Sequence, residues 1–387
     1  MSDTLRCKFP LKSLAPSKLP PLGLKLKETP MFVSFGFDDN ESPGYSQMAQ
    51  GGGGMAWLLE FFKDKVNPSG TGNPMTFDGE PVRVTFFNVG AYITEEFGDN
   101  AEWIKKSWFE AFQQGHEIGN HTFNHALGGE TRSEDEWLWQ IEKCNDMLCR
   151  PYIESDTKTF NELTGIGLTP QDIKGFRPPC LHYNDNLFKA MSKVGILYDT
   201  GIQEGRQKDQ VGGDHYWPYS LDHESPVNKV LSQWGESEPL GYYPGLWALP
   251  VYPFIVPDDN EVKKYGLDYS LRELAASRCD YFNVDNGKIT GFDYNLFYIL
   301  KFNKNEILAT LKHTLNLRLA GNRTPMLIGM HSGIFHDNKT DLDMPASIRR
   351  EILEEFVEYL QTKKEVRIVR FDQVLEWIRS PYPLSVD

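Results

Sequence analysis

Short apolar runs alternate with amphipathic stretches along most of the chain. Met31–Phe37 (MFVSFGF) is apolar at nearly every position and is bounded by Pro30 and Asp38. That is the pattern of a strand covered on both faces. Further runs at Val82–Val89, Glu117–His121, Lys174–Arg177, Ile196–Thr200, Met326–Met330 and Val366–Arg370 predict six more strands. Helical periodicity predicts helices over 57–65, 101–114, 133–149, 184–194, 304–320, 346–363 and 371–379. Gly115 stops the second of these, and Ser133 with Glu136 makes a capping box at the start of the third. Strand and helix recur at intervals of roughly 30–50 residues, which predicts a parallel α/β architecture with right-handed connections.

Three stretches break the rhythm. Residues 1–30, rich in Pro, Leu and Lys, read as an extended lead-in packed along the body. Residues 41–56 contain the run Gly51–Gly54 and read as a surface loop. Residues 201–300 carry Pro, Gly and aromatic segments such as WPYSLD and YYPGLWALPVYPF. A structureless loop of that length is improbable, so this stretch is expected to pack on the body as an elaboration. The chain is therefore read as one domain, 31–387, behind the lead-in.

Composition narrows the classes of function. The 387 residues hold 54 Asp+Glu against 40 Lys+Arg, a formal charge of −14, which argues against a nucleic-acid partner. No apolar stretch approaches the length of a membrane span, and residues 1–30 contain no apolar core of a signal peptide. Nine Trp, 17 Tyr and 24 Phe are a rich supply of rings. Most of these rings must be core; with Trp and Tyr concentrated partly in 201–300, a sugar-stacking rim there is the alternative reading. The five cysteines, Cys7, Cys144, Cys149, Cys180 and Cys279, form no CxxC pair, so structural zinc of the finger type is excluded.

Catalytic groups of parallel α/β folds gather at the carboxyl ends of strands. The polar residues following the apolar runs are Asp38 and Asp39, His121 and His125, Arg177, and His331. Carboxylates, imidazoles and a guanidinium suit a metal-assisted hydrolase better than a nucleotide site. One helical turn across His121–His125 would set both imidazoles on one side, and an Asp adds a third ligand. The fourth position is left for water, and neutral imidazoles suit zinc. No GxGxxG follows a strand, and GxxxxGK[ST] and GxSxG are absent, which removes the common nucleotide-binding and serine-hydrolase motifs.

The order FGFDDN, HTFNH, FRPP, a WPY segment and IGMHSG resembles the NodB-type polysaccharide deacetylases, carbohydrate esterase family 4, from Met31 to about Trp377. The segments Arg177–Leu181, Trp217–Asp222, Tyr243–Trp247 and Asn322–Pro325 are similar to the insect-type chitin-deacetylase branch. The resemblance implies a distorted (β/α)7-type barrel with a long loop elaboration. It implies Asp38 as general base, Asp39, His121 and His125 as metal ligands, and Arg177 as the group holding the base. His331 would be the general acid. The backbone N–H of Cys180 would face the oxyanion, Trp217 would wall the acetyl pocket, and Asp222 would keep His331 protonated. The implied cofactor is Zn2+ or another divalent transition metal, and the implied substrate is chitin or chito-oligosaccharides in an extracytoplasmic setting. Peptidoglycan and acetylxylan are the alternative substrates; an inactive carbohydrate-binding protein would lack the site residues that are present here. The chain departs from the family in having Gly36 where Thr is usual, which is expected to loosen the strand end, and Cys180 where Tyr is usual.

Overall fold

The computed structural model describes residues 10–45, 52–154, 159–234, 239–339 and 341–385. Cys7, the start of the lead-in and Gly51 lie outside the described residues. The first half contributes β1 (Met31–Asp39), α1 (Gly54–Lys63), β2 (Thr85–Asn88), α2 (Asn100–Gln113), β3 (Glu117–Asn120), α3 (Glu134–Cys149), β4 (Gly175–Phe176), α4 (Asp185–Val194) and β5 (Tyr198–Asp199). The elaboration holds β6 (Tyr219–Ser220), α5 (Val227–Trp234), β7 (Trp247–Ala248), β8 (Phe254–Ile255), α6 (Leu271–Arg278) and β9 (Lys288–Ile289). The chain closes with α7 (Lys304–Ala320), β10 (Met326–His331), α8 (Ala346–Gln361), β11 (Val366–Ile368) and α9 (Phe371–Arg379).

The main sheet runs β10-β1-β2-β3-β4-β5-β7-β6, parallel except for β6. Strand β1 pairs with three others, β10, β2 and β11. Val33 pairs with both Met326 and Ile368, and Gly36 with both Gly329 and Thr85. So β10 lies along one side, and β11 and β2 share the other. Such a strand must be apolar on both faces, as its sequence is. Met31, Val33, Phe35 and Phe37 face the layer of helices, where they join the larger core. Phe32 points the other way, into an inner cluster with Phe87, Tyr198, Trp217, Trp247 and Leu327. The sheet curls around this inner cluster as a half-barrel, the form in which the expected α/β barrel appears.

The elaboration is more than packing. It supplies β7, which extends the sheet in parallel beside β5, and the antiparallel β6. Most of its rings are interior: Trp217, Tyr219, Trp247 and Tyr252 are all buried. The stacking rim therefore reduces to scattered exposed rings such as Tyr242, Tyr281 and Tyr294. The lead-in does pack along the body. The carbonyls of Leu14 and Ser17 accept bonds from Ser220 N (2.9 Å) and Trp217 N (2.8 Å), and Leu11 N donates to Arg379 O at 2.6 Å. It thus covers the bonding groups of an edge strand that would otherwise stay open.

Candidate active site

The carboxyl end of β1 turns sharply because Asp39 (φ 66°) and Asn40 (φ 65°) both adopt the left-handed conformation. Asp and Asn are the residues other than Gly that visit it most readily. The turn is pinned by the Asn40 side-chain amide, which donates to Phe37 O (2.9 Å), Phe87 O (3.1 Å) and Asn88 Oδ1 (2.7 Å). Trp108 Nε1 donates to the Asn40 carbonyl at 3.0 Å. Asp38 is thereby left on the inner face beside its register partner His331, while Asp39 is aimed toward the loop after β3.

That loop carries both histidines. His121 N–H continues the ladder onto Asn88 O at 3.0 Å. Thr122 (φ 70°) and His125 (φ 52°) then break the helical conformation. The spacing works through a loop, not through the expected helical turn. Its bends are fixed by Asn120 Oδ1 on Thr122 N (2.8 Å) and Thr122 Oγ1 on His125 N (3.1 Å). The imidazole centroids end 5.1 Å apart.

Asp39, His121 and His125 offer ligand atoms that all lie within 4.8 Å of one another. His121 Nε2 is 3.6 Å and His125 Nε2 is 3.4 Å from Asp39 Oδ1. The His121 Nδ1 lies 2.7 Å from Arg177 O. A carbonyl only accepts, so Nδ1 carries the proton and Nε2 presents a lone pair. Burial, together with His125, holds His121 well below its ordinary pKa and keeps it neutral. Asp39 Oδ1 is buried with no hydrogen-bond donor among the described residues. An unpaired carboxylate oxygen facing an imidazole lone pair is repulsive unless a cation lies between them. The donor set, one carboxylate and two imidazoles, fits zinc. Burial, helped by the neighbouring carboxylates Glu41 and Asp38, lifts Asp39 to about 6 against the pull of His331 and His125.

Asp38 is held differently. Arg177 Nη1 donates to its Oδ1 at 2.7 Å. The guanidinium is 1% exposed, lies over the rings of Phe87 (4.5 Å) and Phe371 (5.3 Å), and bonds Thr200. A Cβ on Gly36 would come within 3.0 Å of Arg177 Nη1, and one on Gly329 within 3.1 Å. These two glycines face each other in the β1–β10 register. Gly36 therefore does not loosen the strand end; it makes half of the slot that seats Arg177. Burial pushes the Asp38 carboxyl up, against the pull of Arg177 and His331.

At the end of β10, both His331 Nδ1 (2.8 Å) and His331 N–H (2.7 Å) bond Asp293 Oδ2. Burial works against the charged ring, but Asp293, with Asp38 and Asp39 beyond it, raises His331 to about 10. Burial pushes Asp293 up, yet the bonds and charge of His331 bring it below the usual carboxylate range. His331 Nε2 points to Asp39 Oδ2, 3.7 Å away. A pocket of about 210 Å³ opens here, lined by Asp39, Glu41, Asp293, Tyr294, Tyr298 and His331 among others.

Two expected site residues lie elsewhere. Trp217 is 1% exposed, donates to Asn322 O, and packs 6.1 Å from Trp377, which in turn meets Phe32 at the amino end of β1. Phe32 precedes Asp38 by about 20 Å of extended strand, so Trp217 belongs to the interior and walls no acetyl pocket. Asp222 accepts from Gly245 N at 3.1 Å and braces a turn; the carboxylate on His331 is Asp293. The sequence reading missed Asp293 and Tyr294. Their signal was the dipeptide Asp-Tyr after Phe292, hidden in a stretch without strand pattern.

Cys180 (φ 56°) sits in the turn Pro179–Leu181, whose bonds come from the N–H groups of Leu181 and His182. Its own N–H is outside those bonds. Partial burial and the Asp39 charge raise its thiol above the ordinary value, which disfavours the thiolate a nucleophile needs. Cys144, Cys149 and Cys279 are also free.

The family model described as polysaccharide deacetylase matches residues 75–198. Chitin deacetylase 8 of Bombyx mori is 21% identical over 99% of this chain and 79% of its own. Among solved structures, a protein assigned as a polysaccharide deacetylase from Mycobacterium smegmatis aligns over 97% of this chain and 99% of its own, at 17% identity and a TM-score of 0.47. A pseudoenzyme of carbohydrate esterase family 4 from Bacillus anthracis aligns over 91% and 70%, at 11% identity and a TM-score of 0.38.

Proposed function

We propose that this chain, a protein of the polysaccharide deacetylase family, is a metal-dependent hydrolase that removes N-acetyl groups from N-acetylglucosamine units of chitin or chito-oligosaccharides. The observation that carries the reading is the unpaired Asp39 Oδ1 facing the Nε2 atoms of His121 and His125, with Asp38 and His331 paired in register next to it. Asp39, His121 and His125 would hold a divalent ion such as zinc, which supplies Lewis acidity toward water and the acetamide carbonyl.

The remaining chemistry belongs to the side chains. Asp38 takes the proton of the attacking water, and Arg177 fixes which of its oxygens is free to do so. The developing oxyanion receives the N–H of Cys180. His331, kept as imidazolium by Asp293, gives its proton to the departing amine. The C–N bond breaks, and acetate and a free glucosamine amine leave. Adjacent carboxylates thus take different parts, because Arg177 faces one and the cation ligands face the other.

Acetate release from chitin oligomers, peptidoglycan and acetylxylan, each with and without chelator, tests this. The expected result is chelator-sensitive release that is fastest on chitin oligomers. Release that a chelator leaves unchanged would remove the metal, and preference for acetylxylan would remove the N-deacetylase assignment.

A further inference from the structure

The imidazoles of His121 and His125 hang from one short loop, so the ion site exists only while that loop keeps its bends. Thr122 is β-branched and sits in the left-handed conformation (φ 70°), which such a residue holds only where its surroundings over-determine it. Helix α3 provides those surroundings. Its residues Gln140, Ile141, Cys144 and Asn145 recur at helical spacing on one side. Cys144 Sγ donates to Asn88 O, at the end of β2, at 3.4 Å. Asn120 Nδ2, at the end of β3, donates to Ile141 O (2.9 Å) and Asn145 Oδ1 (2.8 Å). These bonds anchor the start of the loop.

Gln140 holds its middle. The side chain is buried. Its Oε1 accepts from Phe123 N (3.0 Å) and Asn124 N (3.1 Å), and its Nε2 donates to Asn124 Oδ1 at 2.6 Å. Neither Phe123 nor Asn124 lies in a helix or strand, so one side-chain oxygen stands in for the ladder acceptors that these amides lack. Two consecutive N–H groups converging on one oxygen fix two peptide planes at once, and those planes lead directly into His125. Beyond His125, Arg132 Nη2 donates to the carbonyls of Ala126 (3.0 Å) and Leu127 (3.1 Å). The ligand residue is thus braced on both sides, and Gln140 reaches the ion only through this backbone.

Resting on the metal-dependent reading above, we infer that Gln140 is a positioning residue for the ion site: by clamping Phe123 and Asn124 it holds His125 in place before the ion arrives, and so sets how tightly the ion is bound. The test is zinc titration of chelator-treated protein against a competing metal dye, which reads binding without turnover. Gln140→Met has similar length and no hydrogen-bonding oxygen or amide, and is expected to weaken zinc about 10–100-fold, the usual cost of losing an outer partner of a metal ligand. Gln140→Glu keeps an oxygen for both N–H groups and is expected to stay within about threefold of wild type, a rescue that a merely space-filling side chain would not show. Hydrogen exchange on metal-free wild type adds a reading that needs no variant: the Phe123 and Asn124 amides are expected to be protected before zinc is added. Wild-type zinc affinity in Gln140→Met, equal loss in both variants, or unprotected amides in metal-free wild type would each overturn the inference alone. A wild type that takes up no zinc, with both amides protected, would instead remove the metal reading and the inference with it.

Discussion

Asp293 does what no neighbouring residue can. A single oxygen accepts both the ring Nδ1 and the backbone N–H of His331, so it sets the orientation of the ring and its charge together. Replacing it with Asn keeps a bonding partner and removes the charge. The folded-state pKa of His331 is raised, so its proton is held up to high pH and lost as pH rises through that value. In Asp293→Asn the value falls, and the alkaline limb of kcat moves to lower pH. Near neutral pH the loss should be about 10²-fold on an acetamide, whose amine must be protonated to leave, and much smaller on an activated acetate ester. Rate profiles on both substrates check this; an unmoved alkaline limb contradicts the role. His331 itself was legible, as a histidine ending an apolar run. Its partner was not, because Asp293 lies far off in sequence and is brought in by the fold of the elaboration.

Among elements, β1 was the most legible, because burial on both faces leaves an almost unbroken apolar run. The helices were read to within a few residues where caps announced them, as at Ser133 and Glu136, whose reciprocal bonds are present. The short strands β6 to β9 were missed. At two residues each, they have no period to detect. Gly36 shows a different limit. A glycine inside a strand signals close approach, but sequence does not say of what. Here it is the guanidinium that holds Asp38, so the strand acts on catalysis through a missing methyl group. Gly36→Ala should shift Arg177 by a few tenths of an ångström and lower kcat about tenfold, because small misplacements of catalytic groups are costly. Zinc affinity should be unchanged. Wild-type kcat in that variant would show the slot to be roomier than the Cβ position indicates.

For the whole molecule, the parts divide by depth along the half-barrel. Rings fill its interior toward the amino end of β1, the lead-in straps its edge, and the charged groups meet at the carboxyl ends of β1, β3, β4 and β10. The aromatic wealth of the elaboration mostly serves that interior. On the proposed function the paired aspartates have separate tasks: Asp38 takes a proton and Asp39 holds the ion. Zinc titration combined with acetate release from a chitin pentasaccharide, for Asp38→Asn and Asp39→Asn, tests it most directly. Asp38→Asn should bind zinc as wild type does and lose about 10²–10⁴ in rate, while Asp39→Asn should lose zinc itself. Near-normal deacetylation by zinc-loaded Asp38→Asn, or wild-type zinc affinity in Asp39→Asn, would contradict it.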